Sequence, residues 1–330
     1  MSDKLRALMF LLIATFIWGL SYPIGRAALE HLEPLAYGGF RYLFGALSLL
    51  PLALKRRRQP APLAYSGNIS PHLWLWGGML GGLTLSIGAA LQLYGMAALP
   101  ASQVGFMTTL YVSLVPVLAF VTGVMPRLLI GVGLAVGLFG LYLLTGGAGT
   151  GFDKKMLLVL AADVFWAIQV IITGHYAAKV NTWLFSLAQA ATGFVITMTF
   201  TVMTGSLPTL TVFVQTLPYT AWGIFSVGVA YSCQAMAQRD MSPTSAALIF
   251  PLQSVIGAVA GVIFLGEHMS ERMIIGAGVI ILGCVIAQFA RESTRITPDS
   301  KYWRPIKVAR IAVGSLITVA TVGGLIWAVT

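Results

Sequence analysis

Asp163 is one of only ten acidic residues in 330, and it lies well inside an apolar stretch, 155–177. A carboxylate held that far from water is costly, and its presence points to function. At about 1.5 Å per helical residue it sits about 12 Å from the nearer end of its stretch. Three chemistries fit it: binding the amine of a substrate, taking up a proton, or pairing with a cation. Arg41, about 10 Å inside the stretch 34–54, is the cation at matching depth. Asp163 and Arg41 therefore form a candidate ion pair or coupling pair. Arg41 also has plainer uses, reaching outward to lipid headgroups or serving structure alone.

Trp166 and Gln169 follow Asp163 at helical spacing and extend it into a polar-aromatic stripe. Trp18 and Tyr22 make the equivalent stripe on 7–27. Tyr111 and Gln253 occupy matching places, each eight residues beyond a landmark, Gln103 and Ser245. Tryptophan prefers the membrane interface, so mid-membrane Trp18 and Trp166 either wall a cavity or pack helices. The candidate substrate-binding residues are Trp18, Tyr22, Tyr111, Asp163, Trp166, Gln169 and Gln253. Aromatic faces beside amides suit a small amphipathic metabolite such as an amino acid. Gln92 and Gln234 read as satisfying helix ends, and Glu267 as the cap of the helix that follows it.

No base or nucleophile stands beside Asp163, so no catalytic residue is assigned and no enzyme is expected. His31, His72, His175 and His268 lack ligand spacing, and Cys233 and Cys284 fall within apolar stretches. Neither a metal nor another cofactor is expected. The run Gly146–Gly151 shares only its glycines with a phosphate-binding loop, since no Gly-Lys-Ser/Thr follows, so ATP hydrolysis is excluded.

The elements that must position these residues are membrane helices. The chain is 58% hydrophobic and 9% charged, with mean hydropathy +0.87, which is outside the range of soluble domains. Spans of about 20 residues fall near 7–27, 34–54, 73–97, 101–122, 127–145, 155–177, 182–204, 217–238, 242–265 and 271–290. An additional apolar run covers 311–329. Proline is expected to interrupt the first, fourth and ninth spans at Pro23, Pro116 and Pro251. The pairs Gly77/Gly81, Gly78/Gly82, Gly133/Gly137 and Gly257/Gly261 have the spacing of close helix contacts, within one bundle or across a homodimer.

The landmarks of the first five spans recur in the second five. Phe16-Ile17-Trp18 is echoed by Val164-Phe165-Trp166, and Ala101-Ser102-Gln103 by Pro243-Thr244-Ser245. Because five is odd, the second set enters the membrane from the opposite side. The expected fold is all-α and integral to the membrane: ten transmembrane helices as two inverted five-helix repeats, 1–150 and 151–290. A basic segment, 291–310, follows along the inner leaflet, and then the additional C-terminal helix, 311–330. Of the 20 Lys and Arg, fifteen lie on the side of the N-terminus. Only Arg26, Lys154, Lys155 and Arg272 lie on the other, with Arg41 inside a span. That bias puts the N-terminus in the cytoplasm and explains a net charge of +10 without nucleic acid.

Trp18-Gly19-x-Ser21-x-Pro23, Glu33-Pro34 and Arg41-Tyr42 together resemble the first two helices of the EamA branch of the drug/metabolite transporter superfamily. Ala98-Leu99-Pro100-Ala101-Ser102 is similar to its turn between helices three and four. Leu265-Gly266-Glu267-His268-Met269-Ser270, followed by Gly276 and Gly283, is similar to its signature in the second half. The resemblance spans about residues 5–290. It implies ten helices in two inverted repeats and export of small metabolites, often amino acids. Two departures stand out: the first half reads Thr122-Gly123-Val124-Met125-Pro126-Arg127 where the Gly-Glu element belongs, and the C-terminal run lies outside the ten-helix pattern.

The sequence thus predicts an inner-membrane secondary transporter working by alternating access around a midplane cavity. Its expected partners are a small-molecule substrate and the lipid bilayer, with proton coupling through Asp163, as monomer or homodimer. Hydrophobic or aromatic amino acids come first as cargo, with export following from the resemblance. The alternatives are uptake or exchange of an anionic compound such as a sugar nucleotide, and, in another class, a membrane scaffold or integral-membrane enzyme.

Overall fold

A chain this apolar must close its backbone hydrogen bonds on itself, because lipid offers no partners. The computed structural model describes residues 3–56, 72–119, 128–144, 154–241, 243, 246 and 249–288, and its regular elements are helical throughout. In order they are α1 (Asp3–Ala28), α2 (Pro34–Arg56), α3 (Leu73–Met96), α4 (Ala101–Thr108), α5 (Tyr111–Ala119) and α6 (Leu128–Leu144). The second half holds α7 (Lys154–Ala177), α8 (Thr182–Met203), α9 (Leu210–Ala221), a π-helical segment (Ile224–Val229), α10 (Ala230–Asp240), α11 (Leu252–Leu265) and α12 (Glu271–Gln288). The linker Gly146–Gly151, the basic segment 291–310 and the run 311–329 lie outside the described residues.

Among the described residues, six segments are long and apolar enough to cross a membrane: 3–28, 73–96, 101–118, 154–177, 182–203 and 210–240. Large apolar side chains such as Phe16, Leu138, Val195, Ile263 and Phe264 are at least half exposed. On a water-soluble surface so much exposed apolar area would drive association; here it faces lipid.

Local chemistry sets the ends. Asn181 caps α8, its Oδ1 accepting from the amides of Trp183 and Leu184 at 3.1 and 3.4 Å. Its Nδ2 donates to the Arg56 carbonyl at 2.8 Å, tying the end of α2 to the start of α8. Thr209 caps α9 through the Val212 amide. The span expected from residue 217 therefore begins at Leu210, seven residues earlier.

Two of the three prolines act differently from expectation. Pro23 sits within an uninterrupted α1, and Pro116 within α5. The fourth span breaks instead at Thr109-Leu110, where the amides of both residues turn to carbonyls three back. The chain around Pro251 makes the same tight turn, Leu252 N to Ile249 O and Gln253 N to Phe250 O, before α11 begins. There the proline has no N–H to donate, and the turn agrees with the expected interruption.

Helix α3 packs between α7 and α8; α2 lies on α8 and on the π segment; α1 lies on α10 and α11; α5 lies on α7; and α6 lies on α12. Small residues permit these approaches. A Cβ on Gly19 would meet Ile256 at 2.6 Å, and one on Gly257 would meet Tyr22 at 2.8 Å. Gly140 faces Gly276 and Gly137 faces Gly283 in the same way. Glycines of α3, among them Gly78 and Gly82, receive the backbone of α8. The glycine spacings are thus occupied within the bundle.

Candidate functional site

Where α1 to α5, α7, the π segment, α10 and α11 converge lies a partly open cavity of about 70 Å³. That is room for a few waters and far below the roughly 300 Å³ at which small-molecule sites begin. A larger groove on α11 and α12, about 380 Å³, is lined by Val259, Ile263, Ile274 and other apolar side chains and belongs to the lipid-facing surface.

One wall of the cavity is aromatic. The Trp18 ring lies 4.9 Å from that of Tyr231 and 5.9 Å from that of Phe250, and Tyr111 is 5.9 Å from Phe250 on its other side. Tyr22 and Trp166 complete the lining. Trp18 is oriented through its indole, whose Nε1 donates to the Ser226 carbonyl at 3.1 Å. Ser226 lies in the π segment, where the wider turn re-aims side chains and carbonyls, a feature frequent at functional sites. The segment is clamped by Gly223, where any Cβ would overlap the Arg41 backbone, and by Trp222, whose Nε1 donates to Ser21 Oγ at 2.8 Å.

The other wall is made of amides. Gln169 donates to Thr173 at 2.9 Å, and to Gln189 and Gln234 at 3.3 Å each; Gln234 donates back to Gln169 at 3.2 Å. Gln253 Nε2 donates to the Tyr111 hydroxyl at 3.5 Å. Gln92 donates to Thr108 at 2.8 Å. Such a surface offers both donors and acceptors without fixed charge.

The chain belongs to the EamA-like transporter family. The family model matches it twice, over residues 5–146 and 153–289, and so covers both halves. An uncharacterized transporter of Archaeoglobus fulgidus is 25% identical over 86% of this chain and 86% of its own. The uncharacterized inner membrane transporter YedA of Escherichia coli K12 is 25% identical over 83% of this chain and 88% of its own. One solved crystal structure superposes with TM-score 0.63 at 19% identity, over 87% of this chain and 99% of that chain, which shows a shared fold. This chain is therefore a multi-pass membrane transporter.

In this EamA-like transporter, six of the seven sequence-selected residues line one cavity: Trp18, Tyr22, Tyr111, Trp166, Gln169 and Gln253. Asp163 does not. It is 1% exposed, and neither carboxylate oxygen has a hydrogen-bond partner. Three residues of α-helix turn about 300°, so Asp163 points about 60° away from Trp166 and farther from Gln169. The expected single stripe is really a twisting one. Asp163 lies within electrostatic range of Tyr22, Tyr111 and Cys284, behind the cavity wall rather than on it.

No Asp163–Arg41 pair forms in this conformation. Arg41 is half-buried and turned inward onto the cavity, not outward to headgroups. Its Nη2 donates to Ser226 Oγ at 3.2 Å, and its guanidinium lies 5.2 Å from the centre of the Tyr37 ring. Gln92 and Gln234, read from sequence as helix-end residues, are lining residues as well. Tyr42, Thr108 and Tyr231 also join the lining without having been singled out. For Tyr231 the signal was weak, because the π segment shifts the facing of the residues beyond it.

Glu267 is a cap, but of a different helix from the one expected. Its carboxylate accepts from the amides of Ala101 at 2.6 Å and Ser102 at 2.9 Å, at the N-terminus of α4. The left-handed Gly266, φ 64°, turns the chain so that Glu267 can reach there rather than α12.

Proposed function

We propose that this transporter moves small amphipathic metabolites, with hydrophobic or aromatic amino acids first, by alternating access about the central cavity. The observation that carries the reading is a central aromatic-amide cavity bridged by contacts between the halves, Trp18 to Ser226 and Tyr111 to Gln253. Rings take an apolar side chain, while amides take polar groups.

Two inverted repeats are supported by how the helices pair. Number the spans one to ten, with α4–α5 the fourth and α9–α10 the eighth. Exchanging the halves then turns the contact of span one with nine into that of six with four. It turns one with eight into six with three, and three with seven into eight with two. Two with seven and five with ten map onto themselves, and all of these contacts occur. A pseudo-two-fold of this kind lets one half rock against the other. The basic bias supports a cytoplasmic N-terminus, and the relative named for the inner membrane supports that location.

Within this reading Trp18, Tyr22, Tyr111, Trp166, Gln169 and Gln253 contact the substrate. Asp163 is the proton-coupling group and does not hold the substrate's amine. A carboxylate buried among helices without a hydrogen-bond partner is costly to keep, and taking up and releasing a proton is the use that fits it. The direction is export, by analogy with the family resemblance. Counterflow of radiolabelled L-phenylalanine and L-leucine into proteoliposomes, with and without an imposed proton gradient, tests the reading. No counterflow of any amino acid would remove the cargo assignment.

A further inference from the structure

The cavity carries an imbalance of charge. Among the described residues Arg41 is the sole ionised side chain lining it, and no described Asp or Glu stands among its neighbours there. The ion pairs among the described residues are Arg6 with Asp3 and Asp240, Arg26 with Glu30, and Arg239 with Asp240; Arg41 takes part in none. A half-buried guanidinium left without an anion is a ready partner for one.

The unused hydrogen-bonding capacity has the same sign. Two polar atoms of lining residues are buried without a partner, Arg41 Nε and Trp166 Nε1. Both are obligate donors. The orphaned acceptors of Asp163 lie behind the wall. Meanwhile Arg41 is held in place: Ser226 Oγ takes one Nη2 hydrogen, Tyr37 underlies the guanidinium, and Gly223 presses α2 against the π segment. A fork so fixed, with Nε still free, is suited to bidentate contact with a carboxylate.

We infer that Arg41 is the anchor for a carboxylate on the transported molecule, and that an amine on that molecule is not required. This rests on the reading of the cavity as a transport site. The substrate class widens from amino acids to amphipathic monocarboxylates whose apolar body lies against Trp18, Tyr111 and Tyr231. The acid binds at the Arg41 end, where it supplies the missing negative charge, and leaves again when the walls part.

The test uses the full chain and four matched probes: L-phenylalanine, 3-phenylpropionate, L-phenylalaninamide and phenethylamine. Binding is measured by titration calorimetry in detergent, and flux in proteoliposomes. The two carboxylates are expected to bind at least about tenfold more tightly than the amide and the amine. Arg41→Gln is expected to erase that gap at an unchanged melting temperature, and Arg41→Lys to keep part of it. Should Arg41→Gln not fold, the wild-type ranking and Arg41→Lys decide. Equal or tighter binding of the amide or amine, a gap that survives Arg41→Gln, or no binding of any probe would each overturn the anchor. Flux without carboxylate preference removes the anchor and leaves transport. Carboxylate-selective binding without flux removes transport and leaves the anchor.

Discussion

Trp18 and Ser226 are joined across the two halves of the chain by an indole Nε1 to carbonyl hydrogen bond of 3.1 Å. The same serine uses its hydroxyl to receive Arg41 at 3.2 Å. One residue of a π turn therefore aims both the aromatic wall and the cavity's cation. Any separation of the two halves at this point would re-aim both groups.

Removing the two bonds separately distinguishes them. Ser226→Ala deletes the hydroxyl and leaves the carbonyl, so Trp18 keeps its partner while Arg41 loses one. A neutral hydrogen bond contributes about 0.5–1.5 kcal/mol net, and one to a charged group somewhat more. Ser226→Ala should raise the KM for transport about three- to tenfold with little change in maximal rate. Trp18→Phe keeps a ring but loses the donor, and should lower both. Identical kinetics for the two variants would sink this division of labour.

Gly223 is where α2 comes closest to the π segment, and a Cβ there would overlap the Arg41 carbonyl. Gly223→Ala must push the backbones apart, at about 1–3 kcal/mol for forced overpacking. Gly131 has nothing within 4 Å of an added Cβ, so Gly131→Ala is the matched control. The first variant should melt several degrees lower in detergent and bind substrate more weakly, and the second should match wild type. Equal melting of the two would contradict the packing described.

Glu267 spans from the end of α11 to the start of α4, taking two amide hydrogens that the helix cannot satisfy itself. Glu267→Ala should cost about 1–2 kcal/mol of stability, in the range of a strong N-cap, with Glu267→Gln intermediate because it retains an acceptor without charge. Thermal unfolding followed by intrinsic fluorescence would check the order. A melting temperature unaffected by Glu267→Ala would mean the cap carries no load.

Much of this was readable from residue order, and what was not has identifiable causes. Depth along a helix follows from counting, so Trp18, Trp166, Tyr111 and Gln253 could be brought to one level before any coordinates. Azimuth accumulates error: a three-residue step falls short of a turn by about 60°, enough to carry Asp163 off the face that Trp166 and Gln169 share. The π segment has no compositional signature in Ile224–Val229, so Tyr231 and Gln234 beyond it could not be oriented. Glu267 was recognisable as a cap, but which helix it caps depends on the left-handed turn at Gly266 and on a fold that brings residues 101 and 267 together. Arg41 was judged by depth alone, and its inward aim depends on Ser226, 185 residues away.

Asp163 offers the last and sharpest test. Its two oxygens have no partner, and Tyr22, Tyr111 and Cys284 are the titratable groups within range, with no cation among them. Replacing the acid by its neutral isostere should therefore cost the resting fold almost nothing, since Asn matches Asp in shape and no partner is lost. Asp163→Asn is expected to melt at or above the wild-type temperature. It should bind substrate within about twofold, because the group stands behind the wall and contributes no contact worth even 1 kcal/mol. What it should lose is the response to a proton gradient: counterflow persists, while gradient-driven accumulation falls to the level seen without a gradient. Asp163→Glu, which keeps the titrating group, should restore part of that response if the longer side chain is accommodated. Accumulation by Asp163→Asn equal to wild type would show that the buried carboxylate is structural, and would remove the proposed proton coupling.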